Sequence, residues 1–158
     1  MSVIRAMYIA PTAGAPMIFK TEVRAIAGLG LEGDRYALQL GSWKAKGETT
    51  HKKKRNVTLI ALEDIRYSNS LMLPNHRYNS SETRRNFVTY GTNLTFLLGK
   101  EFSIGRVRLL AIEPSDPCDR PDKLCGKRGF EAAFERRGGL NCEILTSGLI
   151  RLNDPITM

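Results

Sequence analysis

The sequence contains few cysteines, few histidines and no long hydrophobic run. Its three cysteines are an odd number and too few for a disulfide framework, so we expect reduced thiols in a cytoplasmic protein. No apolar stretch approaches the roughly 20 residues that span a bilayer. Arg5 also interrupts the place where a signal peptide carries its apolar segment. The composition therefore argues against a membrane protein and against a secreted one.

Motifs of several familiar protein classes are also absent. There is no P-loop, no serine-hydrolase elbow, and no lysine in a context that marks a pyridoxal phosphate Schiff base. The two histidines, His51 and His76, stand too far from the cysteines to complete a familiar zinc pattern. Aromatic residues are not interleaved with basic ones, so we expect no nucleic-acid partner.

What the chain does have is positive charge. Its 24 lysines and arginines outnumber its 16 acidic residues, giving a formal net charge of +8, which favours an anionic ligand or partner. Basic residues cluster at 51–55, at Arg84 and Arg85, and between 127 and 137. The 51–55 block is most simply interpreted as a solvated loop.

The pattern of short apolar segments between Gly, Pro and Asn predicts a mainly β fold. With 158 residues, we expect a single domain over 1–158, arranged as a closed or partly closed barrel rather than a βαβ sheet. Strands are predicted at 2–9, 17–26, 57–62, 86–90, 106–113, 140–145 and 150–152. Two or three short helices are predicted at 128–137, 92–98 and about 61–71, and mobile segments at 41–54 and 74–81.

The candidate reactive residue is Cys118, in the segment Ser-Asp-Pro-Cys-Asp-Arg-Pro at 115–121. Prolines cannot extend a sheet ladder, so a loop presents this thiol. An exposed thiolate is a nucleophile and a ligand for soft metals, whereas a buried thiol is inert packing, and the loop alone leaves both open. Cys142 alternates with polar residues on a predicted strand and is expected in the core, while the role of Cys125 stays open.

Two polar sets could hold an anion. Arg84 and Arg85 supply fixed cations, and Asn86 offers a donor and an acceptor. The alternative is that Arg84 and Arg85 are surface charges and that Asn86 is a turn residue. Gly33, Asp34 and Arg35 belong to a glycine-rich loop whose spacing does not match a dinucleotide fingerprint. There Asp34 is expected to bond nearby N–H groups, and Arg35 to pair or bind an anion.

In order and spacing, these pieces resemble the stand-alone MOSC domain, named for the C-terminal domain of molybdenum cofactor sulfurase. The resemblance covers nearly the whole chain. It is carried by Gly-Leu-Glu-Gly-Asp-Arg-Tyr-Ala at 30–37, Arg-Asn-Val-Thr-Leu-Ile at 55–60, Arg-Arg-Asn-Phe at 84–87, Pro-Cys at 117–118, and Arg-Gly-Gly-Leu at 137–140. It implies a barrel similar to the β-barrel domain of pyruvate kinase.

The resemblance also implies roles for these residues. Cys118 corresponds to the family's key cysteine, which carries sulfur as a persulfide or ligates molybdenum. Arg84, Arg85 and Asn86 match its basic strand-start motif, and residues 33–35 match its early loop. The implied cofactor is molybdopterin, used in cofactor sulfuration or in reduction of N-hydroxylated compounds. A cysteine desulfurase, a molybdoenzyme or a reductase would then be the partner.

The alternative is a non-catalytic anion- or pterin-binding module or a partner subunit. The family's larger members add a second barrel or an aminotransferase-like domain that uses pyridoxal phosphate. A short chain of this kind is therefore expected to bind or transfer rather than to act as a complete reductase.

Overall fold

A computed structural model describes residues 1–38 and 55–158 of the chain. Its strands are β1 Val3–Ile9, β2 Ile18–Phe19, β3 Glu22–Ile26, β4 Gly30–Leu31, β5 Val57–Ala61, β6 Phe87–Tyr90, β7 Glu101–Ile104, β8 Val107–Pro114, β9 Leu140–Ile144, β10 Gly148–Arg151 and β11 Ile156–Thr157. The α-helices are α1 Leu62–Ser70, α2 Arg120–Cys125 and α3 Phe130–Ala133. Short 3₁₀ helices occupy Pro74–His76, Ser80–Thr83 and Leu94–Leu97.

Eight strands form one strongly curled sheet, a half-barrel, in the order β11-β7-β8-β9-β5-β6-β1-β2. All neighbours in it are antiparallel except β5 and β6, which run parallel. A smaller sheet, β10-β3-β4, completes the β structure. The mainly β, barrel-like fold predicted from the sequence is confirmed.

Backbone hydrogen bonds bring the two sides of the curled sheet together. Asn153 donates to the carbonyl of Ile4 at 2.8 Å, and Ile4 donates to the carbonyl of Asp154 at 3.1 Å. Ile156, the first residue of β11, donates to the carbonyl of Ser2 at 2.9 Å. The segment leading into β11, one edge strand of the sheet, therefore lies against β1, which is next to the other edge strand, β2.

Two apolar clusters pack on opposite faces of the sheet. The larger one fills the inside of the curl and includes Leu59, Phe87 and Leu109. The smaller one holds the helices against the outside, through side chains such as Ile60 and Phe130. Because β5 lies between the two clusters, all five of its residues are buried. Alternating polar residues are therefore missing from this strand.

Several predicted elements need correction. The strand predicted at 17–26 is two strands, because β2 pairs with β1 whereas β3 pairs with β10 in the other sheet. The helix predicted at 128–137 is only α3, since Arg136 adopts a left-handed φ of 63° just beyond it. Asn141, one of the polar residues that alternate with Cys142 in the sequence, is buried together with it on β9. The helix α2 was not predicted; Pro121 lies in its first turn, where proline is tolerated.

Other predictions hold. The helix predicted at about 61–71 is α1, and the one at 92–98 is the 3₁₀ turn Leu94–Leu97, with Asn93 as its N-cap. The segment 74–81, whose predicted mobility stays a prediction, includes one 3₁₀ turn and leads into another. The stretch 41–54, and with it most of the basic block at 51–55, lies outside the described residues. No helix within the described ranges is both long and apolar enough to cross a membrane.

Candidate anion pocket beside an exposed thiol

A small basic pocket gathers residues from several loops around the ends of the strands. Because β5 and β6 are parallel, both begin on the side where the antiparallel strand β1 ends. The loop that leaves β8 and the start of α2 join them there. The pocket is lined by Ala13, Gly14, Arg35, Tyr36, Arg55, Arg84, Arg85, Ser115, Asp116, Cys118, Arg120, Pro121 and Phe130.

Arg84 ends the 3₁₀ turn Ser80–Thr83 with a left-handed backbone, at a φ of 67°. This conformation is uncommon for a residue with a side chain. The Arg84 guanidinium donates to the carbonyl of Ala15. The backbone carbonyl of Arg84 accepts a 3.0 Å hydrogen bond from the Arg35 guanidinium. Arg84 is thereby fixed between the loop after β1 and the glycine-rich loop.

Arg85 is held by three carbonyl groups. Its Nε donates to Gly138 at 2.7 Å, one terminal nitrogen to Ser115 at 3.2 Å, and the other to Thr83 at 3.3 Å. These bonds connect the start of β6 to the loops that follow β8 and precede β9. Arg85 is therefore a rigidly oriented cation. Its N–H groups that do not bind these three carbonyls can donate to another acceptor.

The glycine-rich loop contributes through Arg35 and Tyr36. The buried carboxylate of Asp34 accepts from the Ala10 N–H at 2.9 Å and pairs with Arg35 at 3.0 Å. Arg35 in turn donates to the Tyr36 hydroxyl at 3.2 Å and lies 4.3 Å from the centre of its ring. Asp34 thus acts as the anchor of the loop, while Arg35 and Tyr36 reach the pocket.

Three of the six residues predicted to bind the cofactor lie outside the pocket lining: the loop anchor Asp34, Asn86 and Gly33. Asn86 is fully buried, and its side chain bonds Thr58 and the carbonyl of Tyr8 across three strands. Gly33 is exposed and adopts a φ of 83°, which suits glycine at a tight turn. Both position the loops around the pocket, and neither is among the residues that line it.

The three cysteines have different environments. Cys118 lies in a loop as predicted and is exposed at the pocket, which decides between the exposed and the buried thiol that the loop alone left open. Cys142 lies in the inner core as predicted, where burial raises the pKa of its thiol far above the ordinary value. Cys125 is half-buried, and burial together with the Glu82 carboxylate raises its pKa. Of these three thiols, only Cys118 is both exposed and beside the arginines.

The pocket carries a concentrated positive charge. Five arginines line it against one lining carboxylate, Asp116, and the described walls enclose about 110 Å³. Burial lowers the pKa of Arg84 to about 10, with repulsion from Arg35 and Arg120 adding to the effect. Burial likewise lowers the pKa of Arg85 to about 10. Both stay charged at neutral pH, and a bound anion would relieve the repulsion.

Sequence reasoning missed three residues of this lining as ligand contacts. Arg55 stands two residues before β5, as Arg85 stands two residues before β6, and this shared offset was the signal once the two strands are paired in parallel. Arg120 could be found only with α2, whose first turn brings it to the pocket. Tyr36 follows Arg35 directly, and its buried aromatic ring reads as core in the sequence.

Within the described ranges, no three His, Cys, Asp or Glu side chains are grouped so as to hold a metal ion. A metal at Cys118 would therefore take most of its ligands from a bound group or from solvent. The chain is therefore a mainly β, barrel-like domain whose curled sheet carries an arginine-lined pocket with an exposed thiol at its edge.

This chain belongs to the MOSC domain family, whose family model matches residues 46–157. Among solved structures, it is similar to the YuaD protein of Bacillus subtilis, with a TM-score of 0.76 and 20% identity over 99% of this chain and 94% of that one. It also resembles YiiM of Geobacillus stearothermophilus (TM-score 0.66, 12% identity, 99% and 74% coverage). YiiM of Escherichia coli gives a TM-score of 0.66 at 15% identity, covering 98% of this chain and 68% of that one. No curated protein sequence matches the chain.

Proposed function

We propose that this protein binds the phosphate-bearing molybdenum–pterin cofactor and acts through the Cys118 thiolate, as a sulfur carrier or as a metal ligand. One observation carries the proposal. Cys118 is exposed at the edge of a pocket in which Arg84 and Arg85 are held in fixed orientations. Guanidinium groups match phosphate oxygens in geometry and charge, and thiolates suit soft metal–sulfur chemistry.

The pocket dimensions fit one part of this cofactor. Sites for whole drug-sized ligands measure about 300–1,000 Å³, whereas the described walls here enclose about 110 Å³. That space suits a phosphate-sized anion. The residues that would hold it are Arg84, Arg85, Arg55 and Arg120, with the Tyr36 hydroxyl as a further donor because Arg35 already binds its oxygen.

When bound, the metal centre supplies two-electron redox chemistry, which would serve the reduction of N-hydroxylated compounds. The role of this chain's own residues is to orient the anion and to present Cys118. Arg85 and Cys118 line the same pocket, so a cation of fixed orientation lies near the thiol.

As a sulfur carrier, Cys118 would receive sulfur from a cysteine desulfurase. Its thiolate attacks the terminal sulfur of the donor's persulfide, a new S–S bond forms at Cys118, and the donor cysteine leaves as a thiolate. No net oxidation occurs, because the sulfane sulfur only changes its carrier. The exposure of Cys118 allows this encounter with a protein donor, which we propose takes place in the cytoplasm.

The test is metal and pterin analysis of protein expressed in a cofactor-competent host. Wild type should carry the pterin, and Arg84→Gln should lose it, whereas Arg66→Gln, which changes an exposed arginine of α1, should not. Arg84 is the better target because Arg85 also holds the fold through three carbonyls. Wild type free of pterin and molybdenum would contradict cofactor binding.

The alternative function is a non-catalytic module that binds the same anion, and one observation favours it. The cations are held by buried backbone groups, whereas the thiol stands exposed on a loop. Incubation with a cysteine desulfurase and mass spectrometry of Cys118 decide between the two. A persulfide on Cys118 in wild type, absent from Cys118→Ser and retained in Cys125→Ser, supports the carrier. Unchanged pterin binding in Cys118→Ser with no persulfide in wild type supports the module.

A further inference from the structure

A second cleft lies on the other side of the loop that carries Cys118. It has a volume of about 910 Å³ and is bounded by α3, the 3₁₀ turn Leu94–Leu97 and the start of β9. This is within the range of about 300–1,000 Å³ usual for organic ligands. Apolar side chains line it, among them Leu94, Leu98, Pro114 and Leu140. The cleft is thus large enough for a whole small molecule, unlike the arginine pocket.

One of the two arginines that line this cleft, Arg137, is already paired with a carboxylate. The Nε of Arg137 lies 3.7 Å from the Asp64 carboxylate, and its guanidinium carbon lies 3.9 Å from the centre of the Tyr67 ring. Burial raises the pKa of Asp64, while the charge of Arg137 opposes that rise. Arg137 therefore contributes little free positive charge to a ligand.

The remaining charges of the lining are mainly acidic. Asp116, Glu131 and Glu135 are exposed there, against Arg136. Arg136 also holds a left-handed backbone, at a φ of 63°, and such strain in a residue with a side chain is concentrated at functional sites. The lining of the cleft is thus negatively charged, although the chain has a net charge of +8.

Only a thin wall separates the cleft from the arginine pocket. Asp116 lines both cavities, and Pro117 lines the cleft while the next residue, Cys118, lines the pocket. The wall is closely packed, since a Cβ on Gly138 would lie 2.1 Å from the carbonyl oxygen of Ser115. A ligand in the cleft would therefore lie next to the loop that presents the thiol.

We propose that this cleft binds an organic cation with an apolar body, as the substrate side of the site at Cys118. The apolar lining would bury the body of the ligand, and Glu131 and Glu135 would attract its charge. The two cavities on either side of this loop have opposite charge. The arginine pocket would select an anionic cofactor, and the cleft would select a cationic substrate. Any reaction of this ligand at the Cys118 site rests on the proposed function, whereas its binding in the cleft does not.

Benzamidine, an aromatic cation, is the probe. Titration of the 15N-labelled full chain should shift amide resonances of residues around the cleft, such as Leu98, Glu135 and Gly139. The neutral analogue benzamide and the anion benzoate should bind more weakly, and added salt should weaken benzamidine because the carboxylates are exposed. Shifts confined to other surfaces, or benzamide binding as tightly as benzamidine, would overturn the proposal.

Charge removal provides the matched variants. The double variant Glu131→Gln with Glu135→Gln should weaken benzamidine binding by about fivefold, the effect expected of two exposed charges. Glu22→Gln, which removes an exposed carboxylate from β3 in the other sheet, should leave it unchanged. Equal affinity for the double variant and wild type would refute the assignment even if benzamidine binds.

The proposed function and the proposed ligand of the cleft can be refuted independently of each other. Arg84→Gln should abolish pterin retention and leave benzamidine binding intact, because Arg84 lines the pocket and not the cleft. Protein without pterin that still binds benzamidine in the cleft would refute the proposed function alone. Protein that retains pterin but does not bind benzamidine would refute the cleft alone.

Discussion

The Nε of Arg85 donates a 2.7 Å hydrogen bond to the carbonyl oxygen of Gly138, which lies 53 residues further along the chain. The same guanidinium also binds the carbonyl of Ser115, so one side chain holds together the loop that follows β8 and the loop that precedes β9. One of these loops carries Cys118. The cation that would hold an anion therefore also sets the position of the thiol.

Gly138→Ala should destabilise the protein and disturb the thiol loop. The added Cβ would lie 2.1 Å from the carbonyl oxygen of Ser115 and 3.1 Å from Cδ of Pro117, so the backbone must move. We expect a loss of about 1–3 kcal/mol in the free energy of unfolding, as for overpacking in a core. Urea denaturation followed by circular dichroism measures it.

Gly148→Ala is the matched control for this change. Its Cβ would meet only a methyl group of Val107, at 3.1 Å, and a side-chain methyl can move. A smaller loss is expected there. If both variants lost the same stability, the close contact between Gly138 and Ser115 would not be what requires glycine.

Asp34→Asn should be strongly destabilising, although the two side chains have the same shape. The Asp34 carboxylate is fully buried and pairs with the buried Arg35, which would be left without its counter-charge. Removing one partner of a buried pair costs about 3–5 kcal/mol, and chemical denaturation should show a loss of this order. Glu32→Gln, at an exposed pair with Arg24, should cost less than about 1 kcal/mol.

Alkylation should distinguish the three thiols. Cys118 is exposed and should react first with iodoacetamide in the native protein. Cys125 should follow slowly, because burial and the Glu82 carboxylate raise its pKa and so reduce the thiolate fraction. Cys142 should stay unmodified until the protein unfolds, since burial raises its pKa and shields it. Mass spectrometry of digested samples taken over time tests this order, and early labelling of Cys142 would contradict the packing.

Glu82 should contribute to stability at neutral pH and lose that contribution in acid. Burial alone would raise its pKa, but hydrogen bonds from Lys127 at 2.6 Å and from the Asn79 N–H at 2.9 Å lower it overall. A carboxyl with a lowered pKa in the folded state stabilises above its unfolded pKa of about 4.3, and less as pH falls through the folded value. Glu82→Gln should therefore be less stable at pH 7, and its difference from wild type should shrink in acid.

Denaturation midpoints at several pH values test this prediction. Glu22→Gln serves as the comparison, because it removes a carboxylate from an exposed ion pair with Arg151. A Glu82→Gln deficit that stayed constant down to the acid limb would show that the contribution of Glu82 is packing rather than charge.

Local pattern was sufficient to predict most strands and the loop that carries Cys118, but not the exposure of its thiol. The thiol's loop is flanked by prolines, and strands such as β1 and β5 are mainly apolar segments, so neighbouring residues alone determine these features. Other features depend on distant partners. Residues 17–26 form two strands only because β2 and β3 pair in different sheets, and no periodicity within that segment reports this.

The site shows the same limit. Arg84 and Arg85 were found as adjacent cations, but their separate roles depend on Ala15 and Gly138, which the sequence does not place nearby. Asn86 looked like a ligand contact because a buried bridge and an exposed contact use the same polar groups. Arg120 entered the pocket through a helix whose proline had suggested a loop.

The bonds between the first strand and the segment before β11 have a consequence for how the chain acquires its structure. During synthesis β1 emerges well before its partners on one side, since Ser2 and Ile4 bond Asn153, Asp154 and Ile156. That side of β1 stays unpaired until these residues have been made, and contacts of such long sequence separation slow folding. An unpaired edge strand is also a template for association with other chains. The nascent protein is therefore most exposed to aggregation in the interval before residue 156 leaves the ribosome.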